Sequence, residues 1–471
     1  MKKKIASIVL CALLGLCCGC AGENPPTVIR PGGPGEQPEK TELIDYDAYE
    51  DDYSFMTLGF FSPQVTRESV QTYMDCGFDR FFLMGNNVGS FGDQRMTAAL
   101  DLLEEMQVPS EIDAWGAAGL SMINSSSLDY EKYDYLKAIL AFDEPTTYHG
   151  DAGDRPGIDT VAAQLAGFEK KYGNKEFYAN LLPWPANSLG GRSYAEYLQA
   201  YLDLIVKKQT TDAQKWICAD AYLLMKDRYE ENYFKTSWLQ NLAYIANTKR
   251  DNSDLDLKSR FFIQTMPFVP NNNHEITEAD IRLQMYALVA FGFDSAAMFC
   301  YATPPVGVEF TEETLALVDR NGEKTPTWYY AQTLNNEMHA FDHVFLQFEY
   351  QTAIGIPKKD ADGNYLNQSF RFLGLVNRES VADMKTLESI ESSEDLLLGY
   401  GLDANGNAGF TIVNYNDTAL GLTSDVTMTF TGVNKAMVYV KGVKKIVDVQ
   451  NNTLQISLEP GEGQFIIPYY E

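Results

Sequence analysis

Residues 138–145 read Ala138-Ile-Leu-Ala-Phe-Asp-Glu-Pro145. Five apolar residues in a row are too few for a buried helix and fit a strand covered on both faces. Two carboxylates follow at once, and a proline, which has no N–H for a sheet ladder, stops the strand there. The flanking sequence repeats this design. Short β-prone runs at Phe55–Phe61, Arg80–Met84, Glu111–Trp115, Glu176–Leu182, Lys215–Asp220, Arg260–Met266 and Ser295–Tyr301 join Ala138–Asp143 to make eight strands. Between them lie stretches of helical periodicity with their own starts and stops. Thr66 caps Arg67–Cys76, which stops at Gly77, and Asp93 opens a helix to Met106. A short helix is expected from Asp129, then Gly157–Lys170, Ser193–Gln209, Tyr229–Thr248, Thr277–Phe291 and Pro326–His343.

Eight strand–helix pairs over residues 53–345 predict an α/β fold, a (β/α)8 TIM barrel. A doubly wound sheet is the competing architecture. It needs a glycine-rich first turn, and here that turn is Phe61-Ser-Pro-Gln64 with no G-x-G-x-x-G anywhere in the body. From residue 346 to 471 the pattern changes to short alternating runs without helices. Ala408–Tyr415, Val426–Phe430, Lys435–Val440, Leu454–Leu458 and Gly463–Pro468 predict a C-terminal antiparallel β-sandwich. The turns Asp360–Asn364 and Asp403–Asn407 resemble calcium loops but lack a glutamate at the twelfth position, so they are read as hairpin turns.

The N-terminal end reads differently. Lys2-Lys-Lys4 precedes an apolar stretch, Ile5–Leu16, shorter than the ~20 residues of a spanning helix, as in a secretion signal. The stretch closes on Leu16-Cys-Cys-Gly-Cys-Ala-Gly22, which resembles a bacterial lipoprotein signal and implies lipidation at Cys20, after the small Gly19. Cys17 and Cys18 depart from that pattern. Residues 21–52, with Pro25-Pro26 and Pro31-Gly-Gly-Pro-Gly35, read as an extended tether. The expectation is an exported protein of the bacterial cell envelope, held at the membrane only by its N-terminal lipid. Three cysteines remain in the body, Cys76, Cys218 and Cys300, an odd number with no paired spacing, expected as buried thiols. A net charge of −28 argues against nucleic acid and anionic lipid surfaces as partners.

In such barrels function collects at the C-terminal strand ends. Read in order, these carry Ser62, Asn86-Asn87, Trp115, Asp143-Glu144-Pro145, Asn180 with Trp184, Asp220 with Tyr222, Gln264 and Tyr301. Amides and carboxylates hydrogen-bond hydroxyl groups and flat rings cover C–H faces, so an oligosaccharide or polysaccharide is the expected partner. Trp115, Trp184 and Tyr301 are the candidate stacking platforms. No cofactor or metal is expected. His339 and His343 stand at i, i+4, a zinc-compatible spacing, but no third ligand is readable.

The Asp143-Glu144-Pro145 ending resembles the clan of barrel glycoside hydrolases whose general acid/base is a glutamate closing strand 4. The resemblance implies Glu144 as general acid. Gly409-Phe-Thr-Ile-Val-Asn414 and Leu458–Phe465 are similar to accessory β-domains of such enzymes. The clan's strand-7 nucleophile is a glutamate, where this chain has the uncharged Gln264. Three readings follow. Asp220 supplies the second carboxylate; Asp143 assists a nucleophile carried by the substrate, as in chitinase-like barrels; or the barrel binds glycans without cleaving them. Substrate contacts are assigned to Asp143, Asn86, Trp115, Asn180, Trp184, Tyr222, Gln264 and Tyr301.

Overall fold

The computed structural model describes residues 39–84, 94–114, 124, 129, 131–227, 233–267, 274–307, 310–371 and 380–471. The signal, Cys20, most of the tether, Asn86, Trp115 and most of the segment around Asp129 lie outside the described residues.

Strands β1 (Met56–Gly59), β2 (Phe81–Met84), β3 (Ser110–Asp113), β4 (Leu136–Asp143), β5 (Glu176–Leu181), β6 (Lys215–Asp220), β7 (Leu257–Gln264) and β8 (Ser295–Phe299) form one parallel sheet. Its order runs β1-β8-β7-β6-β5-β4-β3-β2. The circle closes at a parallel bridge between Leu58 and Arg80. There the Tyr73 hydroxyl accepts the Gly59 N–H at 2.6 Å and reaches the Gly59 and Arg80 carbonyls at 3.0 and 2.9 Å. Around the strands lie α1 (Arg67–Met74), α2 (Gln94–Glu105), α3 (Ile158–Ala162), α4 (Leu165–Tyr172), α5 (Tyr194–Leu204), α6 (Ser237–Arg250), α7 (Glu278–Ala290) and α8 (Pro326–His339).

Local chemistry sets the helix ends. Thr66 and Ser69 form a reciprocal capping box on α1, as do Ser193 and Glu196 on α5 and Thr277 and Asp280 on α7. Two expected helices are broken. Gly157–Lys170 divides into α3 and α4 around Ala163-Gln164, and the last expected helix ends at His339, with Asp342–Phe345 forming a separate turn. The helix expected from Tyr229 begins at Ser237, after a 3-10 turn at Tyr233–Lys235.

The barrel interior is layered. At the N-terminal end of the strands Arg260, fully buried, donates to both oxygens of Glu111 at 2.8 and 3.0 Å. Arg80 bridges Glu111 and Glu176 at 2.7 Å each. Tyr178 and the Trp216 indole satisfy the remaining acceptors. Two cations face two anions here, so the low-dielectric interior holds matched charges. Above them lie Leu58, Phe82, Leu140, Cys218, Phe262 and Ala297.

The C-terminal strands β9 (Glu349–Ile356), β10 (Leu387–Ser392), β11 (Leu396–Leu402), β12 (Ala408–Asn414), β13 (Ser424–Phe430), β14 (Lys435–Val440), β15 (Val443–Asp448), β16 (Thr453–Leu458) and β17 (Gly463–Tyr469) make two antiparallel sheets. Their orders are β15-β14-β17-β12-β11-β9 and β10-β13-β16, with a shared core that includes Leu398, Phe410, Met428, Phe430 and Ile466. Asp360–Asn364 and Asp403–Asn407 are tight turns closed by backbone bonds between their first and last residues. The α7 helix is buried from Asp280 to Ala290 between barrel and sandwich. Gly399 and Gly463 let it come so close that a Cβ on either would lie 2.2 Å from Ala290 or Tyr286.

The expected tether ends earlier than residue 52. Thr41 exchanges hydrogen bonds with Tyr470, and Tyr46 is buried with its hydroxyl on Asp403 at 2.7 Å. Apolar Leu43 and Ile44 pack on the core beside it, a composition the Pro/Gly stretch before them lacks.

Candidate active site

A β-bulge decides what faces the barrel mouth. On β4, Ala138 and Leu140 point inward, and Ile139 and Ala141 pack against the helices. Strict alternation would send Phe142 inward and Asp143 out. The β4–β5 register instead shifts between Leu140 and Phe142, so Phe142 joins the outer shell and Asp143 pairs with Asn180. One extra residue thus re-aims the carboxylate into the barrel. On β5 and β6 no such device is needed, because Tyr178 and Asn180, and Trp216, Cys218 and Asp220, fall on the inner face by ordinary alternation.

Asp143, Asn180 and Asp220 converge there. Asn180 donates to Asp143 Oδ1 at 2.9 Å, and its own carbonyl side-chain oxygen accepts from Cys218 Sγ at 3.5 Å. Burial raises the pKa of Asp143 to about 6, helped by the neighbouring Glu144 charge and opposed by Asn180 and Arg155. Asp220 is pushed well above the usual carboxylate range, first by burial and then by the charges of Glu144 and Asp143; the Tyr222 hydroxyl and Asn180 favour its ionised form but do not offset this. Asp220 is 8% exposed and its Oδ1 has no hydrogen-bond partner among the described residues.

Glu144 sits differently. Its backbone holds a left-handed φ of 50°, with its N–H on the Asn180 carbonyl at 2.8 Å. Its carboxylate forms an ion pair with Arg155 at 3.1 Å. Arg155 comes from the loop after β4, whose ends are tied where the Thr146 N–H donates to the Pro156 carbonyl and the Ile158 N–H donates to the Thr146 carbonyl. Unusual backbone at a strand end of the mouth recurs at Phe61, where φ is 66°. The Phe61 ring meets Phe299 at 6.4 Å and Phe310 at 6.5 Å, and Phe299 lies 4.9 Å from Tyr222. An aromatic wall therefore runs from β1 to the Asp220 side of the mouth.

Other expected contacts lie elsewhere. Gln264 is fully buried, and its amide binds the Leu224 N–H at 2.8 Å and the Leu224 and Met266 carbonyls at 3.3 and 3.0 Å. With both ends of the amide engaged by backbone, it clamps the β6 and β7 loops together and has no group left for a substrate. Tyr301 is 1% exposed and packs on Tyr73 and Phe78 between strands and helices, because its position falls on the outer face. Trp184 is half-buried, with its ring 6.4 Å from Tyr244 on α6 and its backbone N–H donating to the Asn241 side chain. His339 and His343 face Asp79 and Asp47 separately, and no metal-holding cluster of three occurs among the described residues. Cys76, Cys218 and Cys300 are free and buried.

Sequence reading missed Phe61, Phe299, Arg155 and Asp113, the last a fully buried carboxylate at the end of β3. Asp113 was legible in principle, two residues after the inward Glu111. The phenylalanines looked like strand interior, and Arg155 lies in a loop with no periodic signal.

No protein-family profile matches the chain, and no curated protein is significantly similar to it. Solved structures similar to this chain include glycoside hydrolases. A family 27 β-L-arabinopyranosidase from Geobacillus stearothermophilus aligns over 90% of this chain and 97% of its own at 11% identity, with a TM-score of 0.49. A family 39 glycoside hydrolase from Bacteroides cellulosilyticus WH2 covers 91% and 82% at 12% identity and TM-score 0.43. A family 30 endoxylanase from Clostridium papyrosolvens C71 covers 93% and 98% at 9% identity and TM-score 0.40. These are similarities only; the eight-stranded parallel barrel and the antiparallel C-terminal sheets rest on this chain's own strand pairing.

Proposed function

We propose that the protein hydrolyses glycosidic bonds of an oligo- or polysaccharide, with Asp143 and Asp220 as the working carboxylates. The observation that carries this reading is the pair itself. Two inner-face carboxyl groups, on β4 and β6 with Asn180 of β5 between them, both hold their protons more tightly than an ordinary aspartate, chiefly through desolvation, and the Asp143 charge adds to the shift at Asp220. Such a pair holds a proton near neutral pH on one member while the other is ionised, and glycoside hydrolysis needs one carboxylic acid and one carboxylate. The acid protonates the departing glycosidic oxygen; the carboxylate attacks the anomeric carbon or activates water. Glu144 was the expected acid. Its carboxylate is engaged by Arg155 at 3.1 Å, and we assign it to stabilising positive charge on the sugar ring as the bond breaks. Asn180 and Tyr222 orient the pair, and the Phe61–Phe299–Tyr222 wall offers ring faces to the sugar.

The same scaffold without cleavage, a glycan-binding protein at the cell surface, is the second reading, favoured by the uncharged, clamped Gln264 on β7. We retain the proposal of an exported, lipid-anchored protein modified at Cys20, on the strength of the basic, apolar and small-residue sequence of residues 1–22. A panel of glycosides and polysaccharides assayed for reducing ends, with glycan binding measured in parallel, tests the activity. Hydrolysis of at least one bound glycan, lost in Asp220→Asn with binding kept, supports the enzyme; binding without any hydrolysis by the wild type rejects it in favour of the binder.

A further inference from the structure

A cavity of about 810 Å³ lies beside the mouth, separate from the carboxylates. The first turns of α1, the segment after β8 and the turn Asp319–Glu323 enclose it, over a floor of Tyr301 and Val318. Its lining is amphipathic. Pro63, Pro305 and Ala302 supply apolar faces, while Gln64, Glu68, Thr72 and Glu323 present side-chain groups that make no hydrogen bond to any described residue.

The charges select against anions. Among the described residues Arg320 is the only cation in the lining, and its guanidinium is taken by the carbonyls of Pro304 at 3.0 Å and Thr311 at 2.7 Å. Glu68, Asp319 and Glu323 outnumber it. A phosphate or uronate would therefore meet net negative charge with no free cationic donor. A neutral ligand with many hydroxyls and an apolar C–H surface matches the lining on both counts. The cavity and the mouth share one wall residue. Phe61 forms part of its wall, and the same ring contacts Phe299, which contacts Tyr222 beside Asp220.

We propose that this cavity is a second carbohydrate-binding site, which holds a neutral stretch of glycan chain several sugars away from the bond at Asp143 and Asp220. The inference rests on the hydrolytic reading for the position of the bond, and on the cavity alone for binding. Tyr301, expected at the mouth, would then contribute as the buried floor of this second site.

The test compares the wild type with Gln64→Ala/Glu323→Ala, which removes free polar groups, and with Thr72→Trp, which fills the space. Neutral cello-, manno- and xylo-oligosaccharides of increasing length are the probes, with kcat/KM and calorimetric affinity as readouts and Tm checked for each variant. On long chains the variants should lose roughly tenfold in kcat/KM and affinity, about 1.4 kcal/mol, with the shortest substrates changed less than twofold. Unaltered length dependence in folded variants overturns the proposal. If the wild type hydrolyses nothing, the affinity arm still decides: a length-dependent affinity lost in the variants supports the cavity while the hydrolytic reading fails, and affinities equal across variants overturn the cavity.

Discussion

At the scale of single residues, Asp143 and Asp220 are held in an environment that disfavours their charge, and the consequence is measurable as stability. The folded pKa of Asp143, about 6, is above its ordinary value of 3.8, so its favourable contribution is complete below pH 3.8 and is lost as pH rises through 6. Asp143→Asn should therefore be more stable than wild type above pH 6, by on the order of 2 kcal/mol. The advantage should vanish near pH 3.5 in thermal melts across pH. Under the proposed function, this cost in stability is the trade an active site makes. Asp220→Asn should behave alike, whereas Glu144→Gln, which leaves Arg155 without its partner, should gain nothing. Asp143, Glu144, Asp220, Asn180 and Tyr222 were legible from their places at strand ends. Their division of roles was not, because it depends on Arg155, a loop residue eleven positions downstream of Glu144 whose return no periodicity encodes.

At the scale of elements, the bulge on β4 carries the site. Alternation counted from Ala138 points Asp143 away from the barrel, and no residue in Leu140-Ala-Phe142 announces the shift that corrects it. Deleting Ala141 removes the extra outward residue and leaves regular alternation with Phe142 outward and Asp143 still inward, so the folded variant should keep the far-UV CD spectrum of the barrel and stay well above the activity of Asp143→Asn. A folded deletion variant as inactive as Asp143→Asn would show that the inward facing of Asp143 does not follow from this count. The clamp on β7 is the converse case. Gln264 occupies a strand-end position suited to a catalytic group but is used to join two loops. Gln264→Glu should not raise activity; it removes the two amide N–H bonds to Leu224 and Met266 and should lower stability by about 1–3 kcal/mol in denaturant titration. Of the sandwich, the alternating strands were readable. Leu396–Leu402 was not, because it is buried on both faces, and exposed Val443–Asp448 carries no burial pattern.

At the scale of the whole molecule, the barrel was legible because most of its strands carry short apolar runs with helical sequence between them; Ser110–Asp113, with one apolar residue, is the exception. What closes and seats it was not, since the ion cluster, the Tyr73 seam and the buried α7 each join residues far apart in sequence. Burial opposes and the two arginines more than offset the ionisation of Glu111, whose pKa falls to about 2 from an ordinary 4.5. Its stabilising contribution is present above pH 4.5 and lost as pH falls through 2. Glu111→Gln, leaving Arg260 under-compensated, should cost about 3–5 kcal/mol at neutral pH by chemical denaturation. The hydrolytic proposal requires the proton carried by the Asp143–Asp220 pair, which is measured most directly by the pH dependence of kcat/KM for wild type and Asp143→Asn on a cleaved glycan. We expect a bell with its alkaline limb falling at or above about pH 6 for wild type, and a rate at least ~100-fold lower in Asp143→Asn with that limb altered, as the proposal demands. A variant within tenfold of wild type and with an unchanged alkaline limb would contradict it.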